Sequence, residues 1–306
     1  MQSVNTGKIN GEWLDKQHYQ KKFGRIKRMD DSYRFNIGDF QCLAVNDGDF
    51  IGNADLLFVN APEKELLQVL KRYNLKQDHL PSTWTCLLIK TPTNVVLVDT
   101  GFGSGGNYGG RLLPILHAEG FKPEDIDTVI LTHAHADHIG GCVDSAGNVV
   151  FPQATFYMWY EEWDYWTIET NLKKAPEWAA NVARQKLPPL LDHLEKIDSE
   201  TDIVPGIRAI AAPGHTAGHI AVEVESGGDY LLNLADVALH PIQIEYPEWY
   251  ARLDQYPKQT VTARHTIYQR AAETNAMVLA FHFPPFPSLG RISKQKSRWK
   301  WQPSHE

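Results

Sequence analysis

Four side chains that commonly bind metals lie within six consecutive residues, in the segment Thr132-His-Ala-His-Ala-Asp-His138. In a chain of 306 residues with 13 histidines, this spacing arises by chance on the order of once in a thousand such sequences. Four imidazole and carboxylate groups brought together would leave lone pairs without partners unless a cation uses them. The segment directly follows the apolar run 128–131, so we predict a strand that ends at a metal site.

Further ligands are expected elsewhere in the chain, because one short loop cannot surround two cations. Each of four other polar residues follows or ends an apolar, strand-like run, and the carboxyl ends of strands are where α/β sheets usually place their sites. The residues are Asp99 after run 95–98, His215 after run 207–211, Asp236 after run 230–234 and His282 after run 277–281.

The rest of the chain predicts a mixed α/β fold. Further strands are expected over residues 85–89 and 220–224, and helices over 62–73, with Asn60 as a cap, 111–119 and 259–274. No repeat and no Pro/Ser linker divides the sequence, so we expect one domain over residues 35–306. Residues 1–34 are predicted to form an N-terminal arm, because their first 30 are polar and poorly patterned.

Composition restricts the partners. The formal net charge of −7 argues against general binding of nucleic acid, and no run approaches the roughly 18 apolar residues that a membrane span requires. The three cysteines are scattered without a CxxC spacing, which fits reduced thiols. We therefore expect a cytoplasmic protein with a small-molecule substrate and no nucleic-acid or membrane partner.

An aromatic segment follows the metal motif: Phe156-Tyr-Met-Trp-Tyr-Glu-Glu-Trp-Asp-Tyr-Trp166 contains seven aromatic residues out of eleven. Such rings supply large apolar contact areas, so Trp159, Trp163 and Trp166 are candidates for a pocket wall. The alternative is a helix face buried on the sheet. His240 is a candidate at the rim of the same pocket, with an ordinary surface histidine as the alternative.

In this order, the motifs resemble those of the metallo-β-lactamase superfamily: Asp99-Thr-Gly, Thr132-His-Ala-His-Ala-Asp-His, Pro213-Gly-His-Thr-Ala-Gly-His, Asp236 and His282. The resemblance implies a four-layer αβ/βα sandwich. It also implies that His133, His135 and His215 hold one metal, that Asp137, His138 and His282 hold the other, and that Asp236 bridges them. Asp99 would orient a ligand, as metal-bound imidazoles usually require, and His219 would be a structural hydrogen-bonding residue.

The identity of two ligands excludes two branches of the superfamily. The flavin-linked diiron members carry glutamate where this chain has His135, and the true zinc β-lactamases lack a metal-binding histidine at the position of His138. The site is instead similar to those of lactonases, glyoxalase II, tRNA-processing nucleases and phosphotriesterases. The nearest resemblance is to methyl parathion hydrolase and its relatives, carried by Asp236-Val-Ala-Leu-His-Pro and Phe281-His-Phe-Pro-Pro-Phe-Pro-Ser-Leu-Gly-Arg. Acyl-homoserine lactonases typically have tyrosine at the position of Leu239, so this chain departs from their pattern there.

The resemblance implies a dinuclear metal-dependent hydrolase, in which a metal-bridging hydroxide cleaves an ester, a lactone or an organophosphate triester. Asp137 would pass a proton to the leaving group. The donor set suits zinc first, and also manganese, iron or cobalt. The alternatives are a glyoxalase II-like thioesterase and a catalytically inactive metal-binding protein of the same fold. Relatives are commonly homodimers, and the sequence leaves the oligomeric state open.

Overall fold

The computed structural model of the protein describes residues 31–103, 109–296 and 298–304. Within these residues, the first of two β-sheets contains seven strands, which lie side by side in chain order from β1 to β7. The strands are β1 (Ser32–Ile37), β2 (Phe40–Gly52), β3 (Leu80–Lys90), β4 (Val95–Val98), β5 (Thr128–Ile130), β6 (Thr155–Trp159) and β7 (Leu194–Ile197). The pairs from β1 to β4 are antiparallel, and those from β4 to β7 are parallel.

The second sheet contains seven strands of the described residues, in the spatial order β14-β13-β12-β11-β10-β9-β8. They are β8 (Thr201–Val204), β9 (Ile207–Ala211), β10 (Ile220–Ser226), β11 (Asp229–Asn233), β12 (Met277–Leu279), β13 (Leu289–Gln295) and β14 (Arg298–Pro303). Only the central β11–β12 pair is parallel within this sheet as described. The carboxyl ends of β11 and β12 therefore meet at one edge.

Helices connect the strands and cover the sheets. In chain order the α-helices of the described residues are α1 (Ala54–Leu57), α2 (Glu63–Arg72), α3 (Leu112–Ala118), α4 (Ala136–Ile139), α5 (Tyr160–Thr167), α6 (Glu169–Leu172), α7 (Glu177–Lys186), α8 (Ile242–Glu245) and α9 (Pro257–Glu273). Short 3-10 helices span Pro123–Asp125 and Pro188–His193.

Alternating side chains of each strand fill two different apolar layers, because successive residues of a strand point to opposite faces. Leu87 and Ile89 of β3 join the core between the sheets, whereas Cys86 and Leu88 face the layer under α3, α5 and α7. Strand β9 divides likewise: Ala209 faces the other sheet, and its neighbour Ile210 packs in the layer under α9. Two sheets back to back with helices outside confirm the predicted four-layer αβ/βα architecture.

Helix α2 begins one residue later and ends one residue earlier than predicted. The proposed cap was wrong: Pro62 occupies the N-cap position, and the Asn60 side chain instead donates to Glu248 O at 2.8 Å and accepts from Tyr250 N at 3.0 Å. Asn60 thus fastens the loop before α2 to the segment that follows α8, a contact across 188 residues that local pattern does not reveal.

The boundary of the predicted arm falls within the described fold. Strand β1 begins at Ser32, so residues 32–34 pair with β2. Residues 1–30 lie outside the described residues, and an arm formed by them stays a prediction. Among the helices that are described, none combines the length and the apolar character that crossing a bilayer requires.

Candidate metal centre

Five segments that follow strands converge at one end of the sandwich. Asp99 follows β4, the metal motif follows β5, and His215 follows β9, while Asp236 and His282 follow β11 and β12. The parallel pairs β4–β5 and β11–β12 explain the convergence, since the carboxyl ends of parallel neighbours lie at the same sheet edge. All seven residues predicted as ligands are brought together there, in two groups that share Asp236.

Three imidazoles of the first group point their ring nitrogens at one another. His133 Nε2 and His215 Nε2 each lie 3.0 Å from His135 Nδ1. The Asp236 Oδ2 atom lies 3.2 Å from His215 Nε2 and 3.6 Å from His133 Nε2. All four ligand atoms are within 4.8 Å of one another, and all four residues are buried.

The second group contains Asp137, His138 and His282. The Asp137 Oδ2 atom lies 3.5 Å from His282 Nε2 and 3.9 Å from His138 Nε2. Asp236 faces this group as well, with Oδ1 3.4 Å from His138 Nε2 and Oδ2 3.3 Å from His282 Nε2. One carboxylate therefore stands between the two groups, which is the arrangement of a bridging ligand.

The nitrogen and oxygen atoms of both groups are arranged to bind cations rather than to form hydrogen bonds with one another. His138 Nε2 and Asp236 Oδ1 are buried without a hydrogen-bond partner in the described structure, a costly state for polar atoms unless something else binds them. Burial, with the neighbouring imidazoles, holds the pKa of His133 and His135 well below the usual value, which favours the neutral imidazole, the form that offers a lone pair. Imidazole and carboxylate donors in these numbers match the ligands that zinc and similar divalent ions prefer.

Asp99 lies where the sequence predicts an orienting residue. Its Oδ2 is 2.8 Å from His138 Nδ1, so the imidazole presents Nε2 to the centre. Thr132 holds Asp99 in turn, donating from its backbone N at 2.9 Å and from Oγ1 at 2.8 Å. Asp99 and Ala235 both have left-handed backbones, at φ 61° and 45°, which are strained for residues other than glycine. Strain at these two positions next to the ligands is typical of functional sites.

His215 has an orienting partner that sequence reasoning missed. Asp254 is buried, and its Oδ1 lies 2.8 Å from His215 Nδ1. Its Oδ2 accepts from Ala251 N at 2.8 Å and lies 3.4 Å from Arg264 Nη2. No local signal marks Asp254, because it follows no apolar run and lies 39 residues from the histidine that it contacts.

Two further histidines are buried beside the centre. The His219 Nε2 atom accepts from Asp236 N at 3.0 Å, and Nδ1 donates to Ala212 O at 3.2 Å, contacts expected of a structural residue. His240 is buried, so the surface alternative was wrong, and its place beside a substrate pocket stays a prediction. It is 2% exposed, accepts from Ile242 N at 3.2 Å and packs edge-on against Phe58, which makes it part of the α1–α2 region.

The tryptophans predicted as a pocket wall occupy core positions. Trp163 and Trp166 are buried in the layer outside the first sheet, and Trp159 packs against the core between the sheets. Their segment changes from β6 to α5 at Tyr160, which turns these rings inward. Trp166 contacts the centre, with its ring edge-on to His135 at a centroid distance of 5.8 Å. The alternative, a buried aromatic face, describes these residues better.

A different aromatic group borders the centre. Phe50 lies edge-on to the His282 ring at 5.8 Å and stacks on Trp84 at 5.2 Å, and Trp84 contacts Phe102 at 4.8 Å. Phe50 and Phe102 are half-buried, so they present apolar surface beside the second group of ligands. No periodic pattern marks this group in the sequence, because its members come from three separate segments.

Comparison with known proteins gives a family and several relatives. The family model of the metallo-beta-lactamase superfamily matches residues 84–272. An N-acyl homoserine lactonase of Bacillus cereus is 26% identical over 171 residues, which cover 49% of this chain and 62% of that protein. The chain thus aligns with less than two thirds of that relative.

Two solved structures share the fold over nearly their whole length. AidC, a dizinc quorum-quenching lactonase solved with a product, has a TM-score of 0.80 and 25% identity, covering 90% of this chain and 99% of that chain. The hydrolase AbOPH has a TM-score of 0.84 and 27% identity, covering 92% and 99%. With a family model that spans more than half of its length, this chain belongs to the metallo-beta-lactamase superfamily.

Proposed function

We propose that this chain is a metal-dependent hydrolase that cleaves uncharged esters or lactones. The observation that carries the proposal is the position of Asp236, whose carboxylate lies between two groups of imidazole and carboxylate ligands. The similarity to AidC, a dizinc lactonase, supports two metal ions and lactone chemistry.

His133, His135, His215 and Asp236 would hold one cation, and Asp137, His138, His282 and Asp236 the other. Zinc is the proposed metal, because histidine nitrogens with carboxylate oxygens are its usual ligands outside cysteine sites. Such cations supply Lewis acidity and lower the pKa of water towards neutrality.

The protein's own residues would contribute proton transfer and orientation. The Asp137 side chain is 18% exposed, compared with 0% for His138 and 3% for Asp236. Asp137 is thus the carboxylate of the centre that a substrate can approach. With Oδ2 directed at His282, its Oδ1 is the atom that we assign to accept a proton and deliver it to the leaving group.

The aromatic group of Phe50, Trp84 and Phe102 supports an uncharged substrate with an apolar portion. Such rings offer contact area but no charge to bind an anion. Leu239, which stands where lactonases typically have tyrosine, is buried, and its backbone N donates to Gln243 Oε1 at 2.7 Å. An aliphatic side chain there donates no proton, so lactone cleavage would depend on Asp137 instead.

Initial rates on three substrates test the proposal: an aryl ester, an N-acyl homoserine lactone with a pH indicator, and a dialkyl aryl phosphate. We expect two bound metal ions per chain and a kcat/KM of at least ~10⁴ M⁻¹s⁻¹ on the ester or the lactone. Chelation should abolish the activity, and zinc should restore it. A higher kcat/KM on the phosphate than on the ester and the lactone would instead assign the protein to the phosphotriesterases. Undiminished activity after complete removal of metal would contradict the proposal.

Replacing Asp254 by asparagine should weaken zinc binding by about 10- to 100-fold, the usual cost of losing an orienting partner of a metal-bound imidazole. The amide keeps the shape of the side chain but removes the charge that fixes the His215 ring at 2.8 Å. Competition with a chromogenic chelator measures the affinity. Asp198→Asn, an exposed aspartate, is the control. Equal affinities in the two variants would show that Asp254 does not orient His215.

A further inference from the structure

A fully buried carboxylate lies behind the metal centre, on helix α5. Glu162 is 0% exposed, and it was not among the predicted site residues. Its neighbour Glu161 points to solvent. Burying a carboxylate is costly unless hydrogen bonds replace the lost water, so the partners of Glu162 indicate what the residue does.

Two of those partners belong to the two loops that carry the first group of ligands, and the third lies on α5 itself. Glu162 Oε1 accepts from Ala134 N at 2.9 Å and from Trp166 Nε1 at 2.8 Å, while Oε2 accepts from Gly218 N at 2.8 Å. Ala134 stands between His133 and His135, and Gly218 is three residues beyond His215. One carboxylate thus holds both loops.

The two loops start from different sheets. The first follows β5 of one sheet, and the second connects β9 to β10 of the other. The second loop also packs directly on α5, since a Cβ atom at Gly218 would lie only 2.4 Å from Glu162 N. The indole of Trp166, fixed by Glu162, lies edge-on to the His135 ring.

We propose that Glu162 is a positioning residue that fixes the distance between these loops, so that His133, His135 and His215 are already arranged when no cation is bound. Hydrogen bonds to an ionised acceptor are the stronger kind and restrict both loops at once. The inference rests on the proposed metal centre.

Metal titration of Glu162→Gln tests the assignment. The glutamine amide has one oxygen and one NH₂ group, so at least one N–H of the three donors would face another donor. With cobalt(II) alone as the probe, we expect wild type to bind two ions, and Glu162→Gln to bind one of them about 10- to 100-fold more weakly. Absorption spectra and chelator competition report both ions. Glu161→Gln, exposed on the same helix, should behave as wild type.

Two cobalt ions bound to Glu162→Gln with wild-type affinity would overturn the inference, even if the variant unfolds more easily. Failure of the wild type to bind cobalt would instead overturn the proposed function. Should Glu162→Gln not fold, hydrogen exchange on metal-free wild type decides the matter. The Ala134 and Gly218 amides should be protected before metal is added, and rapid exchange at both would exclude a preformed arrangement.

Discussion

Asp236→Asn should lower kcat/KM by at least about 10³-fold, since metal ions supply several kcal/mol of transition-state stabilisation. The substitution replaces a carboxylate whose two oxygens face four histidines at 3.2 to 3.6 Å. An asparagine oxygen can still face one cation, but its NH₂ group would repel the other. We therefore also expect the variant to retain no more than one tightly bound ion.

Metal content by elemental analysis and rates on the preferred substrate measure both effects. Asp198→Asn provides the matched control, because that side chain is exposed. A variant at position 236 that kept two metals and wild-type rates would refute the assignment of Asp236 to both groups of ligands.

Arg264→Leu should lower the free energy of unfolding by about 3 to 5 kcal/mol, because removing one partner of a buried ion pair leaves the other charge uncompensated. Arg264 is 0% exposed and lies 3.4 Å from Asp254. It also donates to three backbone carbonyls, of Val237 at 2.7 Å, Pro247 at 3.0 Å and Trp249 at 2.7 Å. Leucine would leave those acceptors buried without a donor.

Urea unfolding of the metal-free protein measures this loss without a contribution from metal binding. Arg270→Leu on the same helix is the control: Arg270 pairs with Glu223 at 2.6 Å but is 32% exposed, so its loss should cost about 0 to 1 kcal/mol. If the two substitutions lowered the free energy of unfolding equally, burial would not be the reason that the contacts of Arg264 stabilise the protein.

The strands that deliver the ligands were predictable because their sequences are continuous apolar runs. β4 and β9 match the predicted bounds, and β5, β11 and β12 differ by one or two residues at their ends. The prediction did not include β1, β2, β6, β7, β8, β13 and β14. Strands β7 and β14 show one reason, since they are only four and six residues long and place exposed charged residues beside buried or partly buried ones. Such short patterns do not stand out from loops.

The ligands of the candidate centre and the orienting residue Asp99 were predictable, but two other residues that hold the ligands in place were not. The spacing of Asp137 and its neighbouring histidines in the sequence predicts a metal site. Asp254 and Glu162 act through contacts that span 39 and up to 56 residues of sequence. Position on a strand or helix gives no sign of such contacts. The aromatic segment misled for a related reason: composition predicts large rings, but only the turn from β6 into α5 decides which way they face.

The origin of His133 and His215 from different sheets has a thermodynamic consequence. A cation bound to both histidines would be a reversible cross-link between the two sheets. Its binding free energy would then add to the stability of the folded chain, by about 2.7 kcal/mol when free metal exceeds the dissociation constant a hundredfold. Metal supply would therefore govern how long the folded protein survives proteolysis, as well as how fast it reacts.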